Sequence, residues 1–346
     1  MRPVNERRQL TQDVTVVPEP TPVSKKIAEL NDLKTRPDSD SLTEGLRSAL
    51  RDRSNRVVAR AAELCDELRR SELVEDLIQA YSRMFVDPLK KDPGCLAKTS
   101  ISAALVNLDS QDIEPYRRGI IYHQYEPVWG GEKDSADQLR ANCAMGMVRC
   151  ATVMEALNRF ADLLVDASPF ARMGAARAIA AMGRWEGVPL LRIRVRSGES
   201  NAEVIGVCCA SLLELAADDN WELVSVFLHH VNDDVRIQVA LAVAESRLPG
   251  AFAAIRGAWQ AEGDPSVRGT LLTCLGLLRS KESRDFLVSL IDGEDEAAAI
   301  DAIRALAPYR VLDELVQRMI PAVTASASPR LRRVFEEEFR VELRGE

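Results

Sequence analysis

The residues best suited to chemistry are seven cysteines and three histidines, and their spacing decides what chemistry is open to them. A metal site built by one stretch of chain uses spacings such as CxxC, HxxxH or HExxH. The sequence contains none of these, and its number of cysteines is odd. Cys65, Cys143 and Cys208 fall instead on the apolar faces of predicted helices. We therefore expect no metal or cofactor, and buried thiols in a reducing compartment.

His123 and Glu126 are the nearest approach to an acid–base pair, in a stretch predicted to be a loop. A general base also needs a positioned nucleophile and an orienting partner. A lone histidine three residues from a carboxylate is weak support for catalysis. Since no nucleophile–base–acid set stands out elsewhere, the chain is expected not to be an enzyme.

Aromatic side chains are concentrated in the same stretch, residues 123–135, and in its approach. Trp129 is followed by two glycines, which places a large contact residue beside a flexible turn. Large aromatic side chains are typical anchors of protein interfaces. The candidate partner-binding side chains here are Tyr122, His123, Tyr125 and Trp129. The alternative is that Tyr125, Pro127 and Trp129 fold back and cover a gap in the packing.

A period of 32 residues indicates the elements that carry this stretch. Counting from Arg140 in steps of 32, the residues three and seven later are apolar with one exception. Such offsets lie on one helical face. Further apolar residues follow at offsets nineteen and twenty-three. Each unit is therefore predicted to be a pair of amphipathic helices, and successive units to stack side by side.

Counting these units predicts an all-α fold, a right-handed α-solenoid of about nine two-helix repeats over residues 41–346. Residues 1–40 are predicted to be a flexible tail and linker with one short helix near residues 25–34. Whether the tail docks on the solenoid or on a partner stays open. A capping box, SLTE at residues 41–44, predicts the start of the first helix of the solenoid.

Repeats two and three are longer than the period, because extra residues lie between their two helices. These residues form two long loops, 86–94 and 123–135. Equivalent loops of stacked neighbours project from the same edge, and insertions on one edge are often where repeat proteins bind. Lys90 and Lys91 of the first loop are therefore expected near the aromatic side chains of the second.

Three segments resemble HEAT repeats: FARMGAARAIAAMG after Asp166, DVRIQVALAVAESR from Asp234 and DPSVRGTLLTCLG from Asp264. The resemblance covers roughly residues 41–343 and is closest to the short-repeat type first named from phycobilisome lyases. In that family, an acidic residue about six positions before an arginine helps to form a ladder between neighbouring repeats. The resemblance implies such a structural role for Asp134, Arg140, Asp166, Arg172, Arg236, Glu262 and Arg268.

The resemblance also implies three enzyme-linked branches with which to compare the chain. Deoxyhypusine hydroxylase looks similar in architecture but uses His-Glu dyads for a di-iron site, and no His-Glu pair occurs here. HEAT-like DNA glycosylases use a basic groove, and a net charge of −8 disfavours nucleic-acid binding. Phycobilin lyases bind a tetrapyrrole but offer no motif specific enough to transfer, so that possibility stays open.

A second candidate surface is the concave inner wall that second helices form in HEAT-like stacks. In each repeat, the positions two, five and nine residues after the position counted from Arg140 in steps of 32 point away from the core stripe. They carry less charge than a solvated helix face usually does. Tight packing between neighbouring helices is the alternative, and Gly174 and Gly206 support it at their positions. It accounts less well for larger side chains. The side chains expected to line a partner groove are Met145, Arg149, Arg177, Leu241 and Leu277.

Composition predicts a soluble, folded protein, with 46% hydrophobic and 28% charged residues. No apolar run reaches the roughly 18 residues that span a bilayer, and the N-terminal residues lack a signal-peptide core, so a cytoplasmic location is expected. The sequence thus favours a non-catalytic scaffold that binds a protein or peptide partner through the inner wall, the aromatic loop or both. The alternative is a lyase-like or enzyme accessory subunit that binds a small ligand at the aromatic loop.

Overall fold

The computed structural model describes residues 21–34, 39–341 and 343. Over this part of the chain the protein consists of helices and one short β-hairpin, which confirms the predicted all-α class. The chain divides into two compact units, Met1–Leu108 and Asp109–Glu346.

The first unit contains five longer helices and one short helix of four residues. They are α1 (Pro22–Leu33), α2 (Ser39–Leu50), α3 (Asn55–Glu67), α4 (Val74–Met84), α5 (Pro88–Lys91) and α6 (Leu96–Asn107). α2 pairs with α3 and α4 with α6, and α3 packs on α6. α1 packs on α2 and α3 with Leu30 buried, so the short helix predicted near residues 25–34 is present. The rest of the predicted tail, 1–20 and 35–38, lies outside the described residues.

The start of α2 corrects the prediction made from the capping box. The helix already includes Ser39, so the box at residues 41–44 lies inside the helix instead of opening it. Its Glu44 accepts a hydrogen bond from Arg47 Nη1 at 2.8 Å. The sequence DSDS offers several residues that favour N-cap positions in succession, and local spacing alone does not choose among them.

The second unit begins with α7 and a hairpin and continues as a regular array of helices. Its elements are α7 (Glu114–Ile120), β1 (Tyr125–Val128), β2 (Gly131–Asp134), α8 (Asp137–Cys150), α9 (Val153–Leu164), α10 (Pro169–Met182), α11 (Val188–Arg196), α12 (Ala202–Val226), α13 (Asp233–Ser246), α14 (Ala251–Ala261), α15 (Pro265–Leu277), α16 (Lys281–Ile291), α17 (Glu296–Leu306), α18 (Asp313–Ala325) and α19 (Pro329–Phe339). The second helices α8, α10, α12, α13, α15, α17 and α19 each pack on the next. Across the described residues the two units hold the nine helix pairs that the period predicts.

Capping residues and prolines fix where these helices begin. Thr152 Oγ1 accepts the backbone N–H of Glu155 at the start of α9. Asp264 accepts the N–H groups of Ser266 and Val267 at the start of α15. Each bond satisfies an N–H that has no partner within the helix. α10, α15 and α19 also begin with proline, whose missing N–H costs nothing at that position.

α12 departs from the predicted alternation of helix and loop. It runs through the second helix of one repeat and the first helix of the next, with a kink at Ala216 (φ −156°, ψ 69°). Asn220 Nδ2 donates to the carbonyl oxygen of Ala216 at 2.7 Å, and Asn220 Oδ1 accepts from Arg192 Nη1 at 2.6 Å. The buried amide thus satisfies the backbone where the helix bends. No glycine or proline separates the two apolar stripes here, so no loop forms.

The cysteines lie in the core as expected. Cys65, Cys143 and Cys208 are all buried. Burial raises the pKa of Cys65 and of Cys208 to about 12, so both thiols are protonated at neutral pH. Among the described residues, no group of three or more His, Cys, Asp or Glu side chains is arranged to hold a metal ion. In the same part of the chain, no helix is long and apolar enough to cross a membrane.

Leu271 tests whether the apolar stripe was assigned correctly. It is buried within α15, on the face that the period predicts. Leu271→Ala is expected to lower the free energy of unfolding by about 2–5 kcal/mol, because it removes buried methyl groups and leaves a cavity. Chemical denaturation measures this change. Exposed Glu337→Ala is the control and should change stability by less than about 0.5 kcal/mol. A neutral Leu271→Ala would contradict the assignment.

Candidate partner-binding surfaces

The aromatic stretch at residues 123–135 is a β-hairpin, which corrects its description as a plain loop. β1 and β2 pair antiparallel, with Tyr125 opposite Asp134 and Val128 opposite Gly131. Trp129 and Gly130 form the two-residue turn, and Gly130 has the positive φ (+93°) that such a turn requires. The hairpin therefore presents Trp129 at its tip.

Asp134 fixes the base of this hairpin. Its Oδ2 lies 2.7 Å from Arg140 Nη1 and 2.8 Å from His123 Nδ1. Its Oδ1 accepts the backbone N–H groups of Gln124 and Ala136 at 3.1 and 3.0 Å. Burial alone would raise the pKa of Asp134, but these hydrogen bonds and the Arg140 charge outweigh it, so the pKa lies below its ordinary value. One ionised carboxylate therefore ties both strands to α8.

Polar side chains complete the base. Glu126 Oε1 accepts from Ser135 Oγ at 2.8 Å and from Gln124 Nε2 at 2.6 Å. The hydroxyl of Tyr122 donates to Gln124 Oε1 at 3.0 Å. Glu126 is thus occupied by the hairpin and does not act on His123, whose Nδ1 faces Asp134. Hydrogen bonds within the hairpin thus position both side chains.

The tip of the hairpin is open to solvent. Trp129 is 104% exposed, and Tyr125 and Pro127 are also exposed. Tyr125 stacks on His123 with ring centroids 5.9 Å apart. Tyr125, Pro127 and Trp129 therefore do not fold back to cover a gap in the packing, which was the alternative. Tyr116 behaves differently, because it is buried between α7 and α8.

The other long loop, residues 86–94, contains the short helix α5 and lies in the first unit. Lys90 and Lys91 end α5 and are exposed. The carboxylate of buried Asp92 closes the loop by binding Lys98 Nζ at 2.9 Å. That the two lysines stand near the hairpin stays a prediction.

An arginine ladder connects neighbouring repeats of the second unit. Arg140, only 1% exposed, donates from Nε and Nη2 to the two carboxylate oxygens of Asp166 at 2.9 and 3.0 Å. Arg172 makes the same bidentate contact with Glu199, with both distances 2.9 Å. In each case the acid follows the arginine by 26 or 27 residues. The fork geometry is the one that a guanidinium offers a carboxylate.

The ladder continues towards the C-terminus with the same direction. Arg236 Nε donates to Glu262 Oε2 at 2.8 Å, and Arg268 lies 3.5 Å from Asp295. An ion pair between an arginine and the acidic residue six positions before it was also expected. Of the ladder arginines, Arg140 alone forms it, with Asp134. Arg172 takes the backbone oxygen of Asp166, not its carboxylate, and Glu262 pairs with Arg236 instead of Arg268.

Glu199 and Asp295 are ladder residues that the sequence reasoning missed. Each lies five positions before Val204 or Ile300, which stand where other repeats carry the arginine. In these two repeats the carboxylate pairs with the arginine of the preceding repeat, but there is no arginine at the equivalent position to pair with the next repeat. A search for an acidic residue five or six positions before every position of the 32-residue series, with or without an arginine there, would have identified both.

The predicted inner wall corresponds to the outward positions of the second helices, here named the second-helix surface. Met145 and Leu241 are half-buried, while Arg177 and Leu277 are exposed. Arg149 is exposed and pairs with Asp109. Arg177 makes no ion pair within the described ranges. The surface therefore mixes accessible apolar and cationic side chains.

Small residues bring the second helices close together. A Cβ on Gly174 would lie 2.4 Å from the Cβ of Ala141, and one on Gly206 would lie 2.8 Å from the Cβ of Gln238. Tight packing therefore explains these two glycines. Open clefts remain at the helix ends. One of about 350 Å³ includes Leu213 and Glu245, and one of about 360 Å³ is lined by Thr273, Gly276, Leu277, Arg279, Arg304, Ala305, Pro308 and Tyr309.

A comparison with protein families matches residues 220–307 to HEAT repeats. The matched segment spans the end of α12 to the end of α17, where the pairs are most regular. Residues 220–307 are therefore HEAT repeats. A search among curated proteins found no match.

Two solved structures show a distant likeness to this chain. One is the complex of CpcE and CpcF of phycocyanin lyase from Nostoc sp. PCC7120, with 13% identity and a TM-score of 0.39, covering 78% of this chain and 94% of that chain. The other is an engineered protein with 16% identity and a TM-score of 0.37, covering 91% of this chain and 99% of that chain. Likeness at this level bears on neither function nor partner.

The arginine ladder predicts a dependence of stability on pH. Burial would raise the pKa of Glu199, but the Asn201 N–H, Arg172 and Arg194 outweigh it, so the pKa lies below its ordinary value. The folded state then binds fewer protons than the unfolded state, and this contribution is complete above the unfolded pKa of about 4.3. It is lost as pH falls through the folded value.

Glu199→Gln is expected to flatten this dependence. Below about pH 5, the free energy of unfolding of the unaltered chain should fall more steeply with pH than that of the variant. Chemical denaturation at several pH values measures both slopes. Glu337→Gln, an exposed change, is the matched control and should keep the original slope. Equal slopes for the Glu199 variant and the unaltered chain would show that the carboxylate does not act in this way.

Proposed function

We propose that this HEAT-repeat chain is a non-catalytic scaffold that binds a protein or peptide partner through the tip of its β-hairpin. The observation that carries the proposal is the full exposure of Trp129 on a hairpin whose base is fixed. Covering a large apolar side chain with a partner removes its surface from water and so favours binding. A rigid support reduces the entropy lost on binding.

The contacts at the base of the hairpin support this proposal, because they close the connection between α7 and α8 without any contribution from the tip. Asp134, Gln124 and Ser135 close the connection between α7 and α8 before the exposed strands begin. Trp129, at the tip, does not pack against the core. Val128, next to Trp129, and Tyr125, at the other end of β1, are exposed as well, so the hairpin offers further apolar surface.

The second-helix surface provides a further contact area in the proposal. Leu277 and the clefts at the helix ends are accessible, and unpaired Arg177 adds a positive charge. These features suit an extended peptide lying across neighbouring repeats. We assign it a supporting role, because its side chains are less exposed than the hairpin tip.

A small-ligand function at the aromatic stretch is less well supported. Small molecules bind in concave sites that cover most of their surface. Trp129 projects from a turn and is fully exposed, so it offers a convex contact. A partner with its own cavity suits such a side chain better.

Site-specific photo-crosslinking tests the proposed function. A photoreactive amino acid at position 129 should give one defined protein adduct in native cells, and unaltered chain in excess should compete for it. The same group at position 311, where Val311 is also highly exposed, is the matched control and should not give this adduct. Equal adducts at both positions would overturn the proposal. A small-molecule adduct at position 129 alone would favour the accessory-subunit alternative.

A further inference from the structure

The outer face of α11 carries an apolar cleft that the core does not explain. Pro189, Arg192, Ile193 and Arg196 line it together with Ser197, and its volume is about 510 Å³. The spacings of three and four residues place these side chains on one helical face. α11 faces its core through buried Leu191 and Val195, whereas Ile193 is 64% exposed.

Basic side chains lie along α11 next to this cleft. α11 contains three arginines and no acidic residue. Arg194 pairs with Glu199, but that carboxylate also binds Arg172. One negative charge therefore serves two guanidiniums.

Within the part of the chain that the structure describes, the two arginines of the cleft form no ion pair with a carboxylate. Arg192 donates only to uncharged acceptors, the backbone oxygen of Asp219 at 3.2 Å and the side-chain oxygen of Asn220 at 2.6 Å. Arg196 is exposed and makes no ion pair with any residue that the structure describes.

We propose that this α11 face binds a short acidic peptide segment that carries one large apolar side chain. The apolar side chain occupies the cleft against Pro189 and Ile193, and carboxylates of the peptide bind Arg192 and Arg196. Arginine suits this role because its planar guanidinium binds carboxylates with two hydrogen bonds. All lining residues lie between Pro189 and Ser197, so the site suits a short segment better than a whole folded surface.

Charge decides among classes of anionic partner. Nucleic acid is bound through many phosphate contacts along a basic surface, and anionic membranes through clusters of cations. This face offers two unpaired arginines around an apolar centre, on a chain that is acidic as a whole. An acidic peptide with an apolar anchor matches that combination.

Trp185 offers a direct signal for binding. It is 74% exposed in the turn that leads into α11, four residues before Pro189. A peptide that reaches this turn would remove water from the indole ring and shift its emission to shorter wavelength. Trp129 is an exposed tryptophan elsewhere, so the measurement is made on a Trp129→Phe background.

The test uses the full chain and a fluorescein-labelled ten-residue peptide in which Leu-Phe is flanked by Asp and Glu. Fluorescence anisotropy should show saturable binding that weakens as salt is raised. Arg196→Glu and Ile193→Asp are each expected to weaken binding at least tenfold. Both side chains are exposed, so thermal unfolding should confirm that the variants fold. Arg310→Glu, an exposed charge reversal on the same unit, should stay within twofold of the unaltered chain.

Several outcomes would overturn the proposal. One is equal binding of the same peptide with Asn and Gln in place of its acids. Another is unchanged affinity in Arg196→Glu. A third is displacement of the peptide at lower concentration by a DNA 20-mer or by phosphatidylserine vesicles, which would assign the face to another class of partner. Trp129→Ala should leave peptide binding unchanged, so failure here is distinguishable from failure of the hairpin proposal.

Discussion

Replacing Lys98 by Met is expected to lower the free energy of unfolding by about 3–5 kcal/mol. Lys98 and Asp92 are both 0% exposed, and Nζ lies 2.9 Å from the carboxylate. The ammonium also donates to the backbone oxygen of Met84 and lies over the ring of Phe85. Methionine keeps the packing but leaves Asp92 without its cation. Urea denaturation of the full chain measures the loss.

A double variant separates the pair from its surroundings. Asp92→Asn combined with Lys98→Met removes both charges while the amide oxygen can still accept the N–H of Ala97, as Asp92 Oδ1 does at 2.8 Å. We expect the double variant to recover most of the stability lost in Lys98→Met, because a buried pair costs less to replace than to break. A change below about 0.5 kcal/mol in Lys98→Met alone would contradict the account.

This ion pair shows why the purpose of an insertion cannot be read from its length. Both long loops appear in the sequence as residues beyond the period. Residues 86–94 are closed by buried Asp92, which also accepts from Asn55 Nδ2 at 3.1 Å. The hairpin is instead fixed at its base and exposed at its tip. The contacts that distinguish the two are made by polar side chains such as Asp92 and Asp134, whose partners the period of apolar residues does not indicate.

The helix pairs themselves could be predicted because apolar positions repeat with a constant period. Leu271 and Leu287 were assigned to the core by offset alone, and both are buried. The ends of helices were harder. α12 passes from one repeat into the next because nothing in the sequence breaks it, and its bend depends on buried Asn220.

The hairpin was missed for a different reason. Its strands are four residues long, too short to show a clear alternation, and Pro127 weakens the strand pattern of β1. Trp-Gly-Gly was the available signal, since a glycine with positive φ suits a two-residue turn. The aromatic content pointed to recognition without revealing the element that presents it.

The second large effect is expected at this tip. Replacing Tyr125 and Trp129 by Ala together should weaken partner binding by a factor of about 30 or more, since interface anchors of this kind contribute about 2 kcal/mol or more. Stability should change little, because both side chains are exposed and Tyr125 touches the base of the hairpin only by stacking on exposed His123. Surface changes of this kind alter stability by about 0.5 kcal/mol each, which corresponds to a shift in Tm of about 1–2 °C.

Phe170→Ala provides the matched control for this experiment. Phe170 is an exposed aromatic side chain at the start of α10 in the same unit. Its loss should affect neither partner binding nor Tm appreciably. The control therefore separates loss of the hairpin tip from loss of exposed aromatic surface in general.

The most direct test measures binding and unfolding on the same preparations of the Tyr125→Ala, Trp129→Ala chain. The partner identified by crosslinking at position 129 is titrated by calorimetry, and Tm is measured by scanning calorimetry. If the tip recognises the partner, affinity falls at least 30-fold while Tm moves by no more than about 4 °C. If Tm falls by many degrees and affinity falls only in proportion to the unfolded fraction, the aromatic side chains stabilise the fold and the central claim is wrong.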